Sequence, residues 1–266
     1  MKIDFQETTK DLAVRIDIHS KFGARNIDSW MLDLIKLQPG NVILDVGCGS
    51  GKQCFSYFDH LDGNAVITGG DVSQDLLDEA IAENNRRKSN LNFGFLDFNK
   101  PFTFPNDSVD FVSCCFAIYY AESFPFTIGE MHRVTKPSGR LFTTGPMPQN
   151  KQLFYDIIRE ATQKEIPPMP GSSRYSTELF STIKSLYSSV NIHIFENPLR
   201  FESVEPFLAY TRASMSEDRK LWGAFFKSKD DFEKIMQQIT LVADKRIKID
   251  GELVMTKVVG GILATK

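Results

Sequence analysis

Cysteine is scarce in this chain, four in 266 residues, which is too few for the disulfide framework of a small secreted domain. Neither charge sign is in excess: 31 Lys and Arg stand against 34 Asp and Glu, a net charge of −3. That balance argues against binding driven mainly by phosphate charge, because such proteins concentrate positive charge. No run approaches the roughly 20 uninterrupted apolar residues of a membrane span. The opening segment MKIDFQETTK has no apolar stretch behind its lysine and does not read as a secretion signal. Internal repeats and low-complexity tracts are missing, and no linker is long enough to force a second independent domain. What is there, 42% hydrophobic and 24% charged residues, is too apolar for a disordered chain and ordinary for a globular one. A cytoplasmic globular protein is expected.

From about Asn41 to Pro146, short β-rich runs alternate with helical patterns. The runs are Val42–Val46, Ala65–Thr68, Leu91–Phe95, Val109–Ser113 and Arg140–Thr144, each bounded by Gly, Pro, Asn or Asp. Between the second and third, Leu76, Leu77, Ala80 and Ile81 fall on one helical face, with Ser73 placed to cap the helix. Strand alternating with helix implies parallel strands joined by right-handed crossovers, with helices on both faces. The second zone differs. Residues 149 to 187 read as two helices separated by the loop Ile166–Ser173, and Asn191–Arg200 alternates like a strand. Residues 203 to 244 form a helical stretch dotted with Phe207, Tyr210, Trp222, Phe225, Phe226 and Phe232, and a strand closes the chain. The aromatics suit either a lid over an apolar acceptor pocket or a subdomain burying its own faces.

The most informative segment runs Val42-Ile43-Leu44-Asp45-Val46-Gly47-Cys48-Gly49-Ser50-Gly51-Lys52. A buried strand leads into a glycine-rich turn and then a helix near Lys52. Glycines permit positive φ and close approach of a ligand to the main chain, and the helix N-terminus offers unpaired N–H groups. A dinucleotide fingerprint needs G-x-G-x-x-G, but its third glycine position here is Lys52. A phosphate loop, G-x-x-x-x-G-K-[ST], fails at the same residue. A nicotinamide oxidoreductase is disfavoured on this spacing.

The segment Asp45–Gly51 resembles the first motif of class I S-adenosylmethionine-dependent methyltransferases. Three further features fall in that family's order. Asp71 ends the second strand twenty residues past the last glycine, Asp97-Phe98 follows the third, and Glu130–Leu141 resembles the family's helix, turn and fifth strand, with Ser138 where glycine is usual. The resemblance covers about residues 40 to 146 and is nearest to small-molecule methyltransferases such as those of quinone biosynthesis. It implies S-adenosylmethionine as cofactor and a small, partly hydrophobic methyl acceptor at O, N or C. Gly47, Gly49 and Gly51 would form its loop, and Asp45 would help hold the methionine end. Asp71, with Val72 beside it, would bind the ribose hydroxyls. Asp97 would accept from the adenine amine and Phe98 pack on the ring. Phe116 and Ala117, after the fourth strand, would flank the cofactor.

Methyl transfer from a sulfonium needs orientation and water exclusion more than acid or base help. Tyr119 and Tyr120, near the carboxyl end of the fourth strand, are candidates for the acceptor side. His19 is the candidate base in an N-terminal segment that folds over the pocket in related methyltransferases, where Phe22 and Arg25 would touch the cofactor. Cys114 and Cys115 should point to opposite sides of their strand as core residues; no metal is expected, nor a nucleic-acid partner. The expected fold is α/β: a Rossmann-like seven-stranded, mostly parallel sheet flanked by helices, with helical cap or lid additions. One domain is expected over 1–266: a helical cap (1–35), a cofactor core (36–148), acceptor-side additions (149–245) and a C-terminal strand (246–266). Alternative functions are methylation of RNA or protein, and cofactor binding without catalysis.

Overall fold

The computed structural model describes residues 9–166, 170–214 and 228–266; Trp222, Phe225 and Phe226 of the aromatic stretch lie outside them. The elements in chain order are α1 (Thr9–Phe22), α2 (Ile27–Ile35), β1 (Val42–Val46), α3 (Lys52–His60), β2 (Val66–Asp71), α4 (Gln74–Arg87), β3 (Asn92–Phe95), β4 (Val109–Cys115) and α5 (Phe124–Val134). They continue with β5 (Thr135–Pro146), α6 (Gln152–Thr162), α7 (Pro170–Arg174), a π turn (Tyr175–Leu179), α8 (Phe180–Leu186), β6 (Ser189–Phe201), α9 (Val204–Ala213), α10 (Lys229–Asp250) and β7 (Leu253–Thr265). Seven strands form a sheet in the order β3-β2-β1-β4-β5-β7-β6. β1 pairs in parallel with β2 and β4, β2 with β3 and β4 with β5, while β7 runs antiparallel to β5. None of the described helices is long and apolar enough to cross a membrane.

The chain divides into two compact units. One comprises Ile27–Pro148, Pro170–Phe195 and Val259–Lys266. Its central strands β1 and β4 are buried on both sides, as a parallel sheet covered on two faces requires, and alternate residues enter different cores. Leu44, Val112, Cys114, Leu141 and Ile262 pack with Phe124, Ile128, Met131 and Ile183 of α5 and α8. Their neighbours Ile43, Phe111, Cys115 and Phe142 pack with Met31, Ile35, Cys54, Phe55 and Leu77 of α2, α3 and α4. The adjacent cysteines 114 and 115 thus serve opposite faces. Capping follows the sequence: the Leu76 N–H donates to Ser73 Oγ at the start of α4, and the Phe126 N–H to Ser123 Oγ at the start of α5.

The other unit comprises Met1–Asn26, Gln149–Met169 and Glu196–Val258. Ile18, Phe154, Ile157, Phe207, Tyr210, Met236 and Met255 share its core, so α1, α6, α9, α10 and part of β7 bury their apolar faces on each other.

Three boundaries differ from the sequence reading. Residues 246–250, assigned to the last strand, belong to α10, which ends where Gly251 takes φ 86° as its left-handed cap. Residues 170–173, assigned to a loop, form most of α7, since proline's fixed φ suits a first helical position. The fifth strand, read as Arg140–Thr144, is longer and runs from Thr135 to Pro146.

Candidate functional site

At the carboxyl end of β1 the chain turns through Gly47, Gly49 and Gly51 at φ 70°, 54° and 82°, and α3 starts at Lys52. Open sheets of this kind bind ligands at the carboxyl ends of their strands. The Gly47 and Cys48 N–H groups donate to the Gly70 carbonyl at 2.7 and 3.0 Å, fastening the turn to β2. Gly47 is required for space as well as conformation: a Cβ there would lie 2.6 Å from the Ala117 Cβ. The same point lies 3.7 Å from a ring carbon of Phe98. The fold thereby gathers Gly47, Phe98 and Ala117, from three separate connections, around one patch of backbone.

Asp71 closes β2. Its Oδ2 accepts from the Gly49 N–H at 2.8 Å and its Oδ1 from the Ser73 N–H at 2.9 Å. One carboxylate therefore holds both the glycine turn and the entry to α4, and it retains lone pairs for further donors. Val72 beside it is exposed. Asp97, two residues past β3, accepts from the Asn99 N–H at 3.0 Å and pairs with Lys100 at 3.3 Å. The backbone hydrogen bond, helped by that lysine, holds its carboxyl below the usual carboxylate range. Phe98 is half-buried against the core, and the Thr127 hydroxyl donates to its carbonyl.

Asp45 behaves differently from the other two carboxylates. It is 2% exposed, its Oδ1 accepts from Ser113 Oγ at 2.6 Å, and its Oδ2 from the Cys54 thiol at 3.6 Å. Burial pushes its pKa up to about 7 against those hydrogen bonds, and the negative charge of Asp71 adds to the rise. Sequence reasoning did not single out Ser113 or reach the pairing of Cys54 with Asp45. Their signal was weak, since each is an ordinary core residue until β4 and α3 are laid against β1.

After β4 the chain passes through Phe116, a bulky exposed residue at φ 57°. Its N–H donates to the Thr144 carbonyl at 3.1 Å. Non-glycine residues held in this left-handed region cluster at functional sites. Tyr119 and Tyr120 follow in a single 3₁₀ turn with ring centroids 4.7 Å apart. His19, Phe22 and Arg25 belong to the other compact unit. There the His19 ring meets Tyr210 edge-on at 5.9 Å, Phe22 packs on Phe201, and Arg25 exchanges hydrogen bonds with Asn197. Among the described residues no three His, Cys, Asp or Glu are grouped to hold a metal ion.

Comparison with known proteins follows the same segment. Residues 43–139 match the family model described as a methyltransferase domain. Over those residues the chain is similar to methyltransferase domains. The nocamycin O-methyltransferase of Saccharothrix syringae is 28% identical over 124 residues, 47% of this chain and 44% of that one. The demethylmenaquinone methyltransferase of Oceanobacillus iheyensis is 28% identical over 137 residues, 47% of this chain and 57% of that one. The chain thus spans about half the length of these relatives. Among solved structures, the Haemonchus contortus phosphoethanolamine N-methyltransferase 2 in complex with S-adenosyl-L-methionine superposes with a TM-score of 0.53 at 15% identity, covering 99% of this chain and 60% of that one. It shares the methyltransferase fold.

Proposed function

We propose that this chain transfers a methyl group from S-adenosylmethionine to a small, partly hydrophobic acceptor. The observation that carries this reading is the left-handed glycine turn, packed too closely on Ala117 for any side chain at Gly47 and tied to the carboxylate that ends β2. Such a turn leaves main chain open to a ligand's amino-acid end, while Asp71 receives vicinal hydroxyls beside it. Asp97, kept ionised by its hydrogen bonds, accepts from an exocyclic amine, and Phe98 covers the adenine ring. Phe116 and Ala117 flank the cofactor, Tyr119 and Tyr120 face the acceptor, and Asp45 supports the methionine end from beneath the turn. The similarity to O- and quinone-type methyltransferases supports a small acceptor, and the net charge of −3 disfavours RNA.

Bound S-adenosylmethionine supplies an electrophilic methyl group on a sulfonium. The residues of this chain orient it and exclude water, which is what an in-line displacement dispersing positive charge requires. Calorimetric titration with S-adenosylmethionine and, separately, NADH tests the reading. Micromolar binding of the methyl donor alone is expected, and binding of NADH in its place would overturn the assignment. Asp71→Ala should weaken donor binding by more than about tenfold, because a charge-assisted contact is removed. Unchanged affinity in a folded variant would show that the ribose is wrongly placed.

A further inference from the structure

Cys114 and Cys115 are adjacent in sequence yet enter separate cores. Cys48 and Cys54 do the reverse. The first lies in the glycine turn and the second in α3, and their sulfurs converge. Each sulfur lies 2.9 Å from the point where a Cβ on Gly69 would stand, so at most twice that distance separates them. The two thiols hydrogen-bond with each other, and neither is in a disulfide. β2 has room for the pair because residue 69 is glycine; a side chain there would push into both sulfurs.

Their surroundings set the two apart. Cys54 is wholly enclosed, whereas Cys48 keeps 6% of its surface exposed. The hydrogen bond with Cys48, burial and the negative charge of Asp45 hold the Cys54 thiol well above its ordinary value. Cys48 is thus the sulfur that an oxidant reaches first, and Cys54 the one placed to resolve it. The main chain of Cys48 also belongs to the turn. Its N–H donates to the Gly70 carbonyl and its carbonyl accepts from the Gly51 N–H, each at 3.0 Å. The next residue, Gly49, donates to Asp71 at 2.8 Å. A disulfide draws its sulfurs to about 2 Å. Cys54 is fixed by α3 and the core around it, so the turn supplies the movement and those hydrogen bonds are disturbed.

We propose that Cys48 and Cys54 form a peroxide-sensitive dithiol whose oxidation distorts the glycine turn and weakens binding of the ligand held there. The effect on binding rests on the methyltransferase reading; the disulfide itself does not. Hydrogen peroxide takes two electrons from the Cys48 sulfur: its O–O bond breaks, an S–O bond forms, and water leaves. The Cys54 sulfur then attacks the Cys48 sulfenic acid. The S–S bond forms, the S–O bond breaks, and the hydroxyl leaves with the Cys54 proton as a second water. A dithiol reductant reverses the bond by exchange. By linkage, a ligand that prefers the reduced turn protects the pair from oxidation.

The test is treatment of the full chain with hydrogen peroxide, alkylation of remaining thiols, and trypsin digestion without reductant before mass spectrometry. Trypsin cuts after Lys52, between the cysteines, so the disulfide joins peptides 37–52 and 53–86. The oxidised chain should bind S-adenosylhomocysteine about tenfold more weakly in calorimetry, as loss of one or two backbone hydrogen bonds implies. Dithiothreitol should restore the affinity. Cys48→Ser and Cys54→Ser should each abolish both the joined peptides and the loss of affinity. If melting shows that Cys54→Ser does not fold, Cys48→Ser decides alone. Absence of joined peptides, joined peptides with unchanged affinity, or a loss of affinity that persists in Cys48→Ser overturns the proposal. Failure of the reduced wild type to bind S-adenosylhomocysteine would instead strike the underlying reading, and the joined peptides would still decide on the disulfide.

Discussion

Asp45 and Asp71 lie on neighbouring strands and do different work because their surroundings differ. Asp71 is partly exposed and receives two backbone N–H groups, whereas Asp45 is enclosed with a hydroxyl and a thiol and has its pKa raised to about 7. A carboxyl whose folded pKa is raised stays protonated in the fold after the unfolded chain has ionised. Its contribution is complete below the unfolded value of 3.8 and is lost as pH climbs through about 7. Asp45→Asn, uncharged at every pH, removes that dependence. The melting temperature of the wild type relative to the variant should therefore fall between about pH 4 and pH 7 and be level above that. Parallel profiles would show that Asp45 is already ionised in the fold. The aspartate itself was legible from its place two residues before Gly47. Its chemistry was not, because Ser113 and Cys54 reach it only across the sheet and from the following helix.

At the scale of elements, β5 shows how tertiary pairing overrides a local reading. Ser138 stands where the resembling family has glycine, and it takes φ 64° within a strand whose register against β4 shifts between Val109 and Phe111. An L-residue held there is strained by roughly 1–2 kcal/mol, partly offset by the extra freedom glycine has when unfolded. Ser138→Gly should raise stability by about 0.5–1 kcal/mol in denaturant titration. A destabilised variant would mean that the serine hydroxyl contributes more than its backbone costs. Nearby, Tyr175 in the π turn packs its ring where Gly145 has no side chain, 2.4 Å from the position of a Cβ. Its hydroxyl lies 2.8 and 2.9 Å from the carbonyls of Thr143 and Gly260. Tyr175→Phe leaves buried carbonyls with one partner fewer and should cost about 1–3 kcal/mol. Neither the turn nor its attachment carried a sequence signal, since a π turn has no residue pattern of its own.

For the whole molecule, the decisive feature is a sheet that feeds two cores by alternation, so that one strand order fixes both layers and brings the ends of β1, β2 and β4 together. A ligand held at those ends binds only the folded chain. S-adenosylhomocysteine at a hundred times its dissociation constant should add about 2.7 kcal/mol. At roughly 2–4 °C for each kcal/mol, the melting temperature rises by about 5–10 °C, while NADH at millimolar concentration leaves it unmoved. A rise with NADH instead would contradict the cofactor assignment. The strand runs, the glycine turn, Asp71 and Asp97-Phe98 were all readable in the chain, because apolar periodicity and glycine spacing act between residues close in sequence. Only the tertiary structure decided that Gly47 abuts Ala117, that Asp45 is enclosed by Ser113 and Cys54, and that the Tyr175 hydroxyl reaches the carbonyls of Thr143 and Gly260. Those contacts join residues far apart along the chain, and strand order, register and packing, rather than any local preference, bring them within reach.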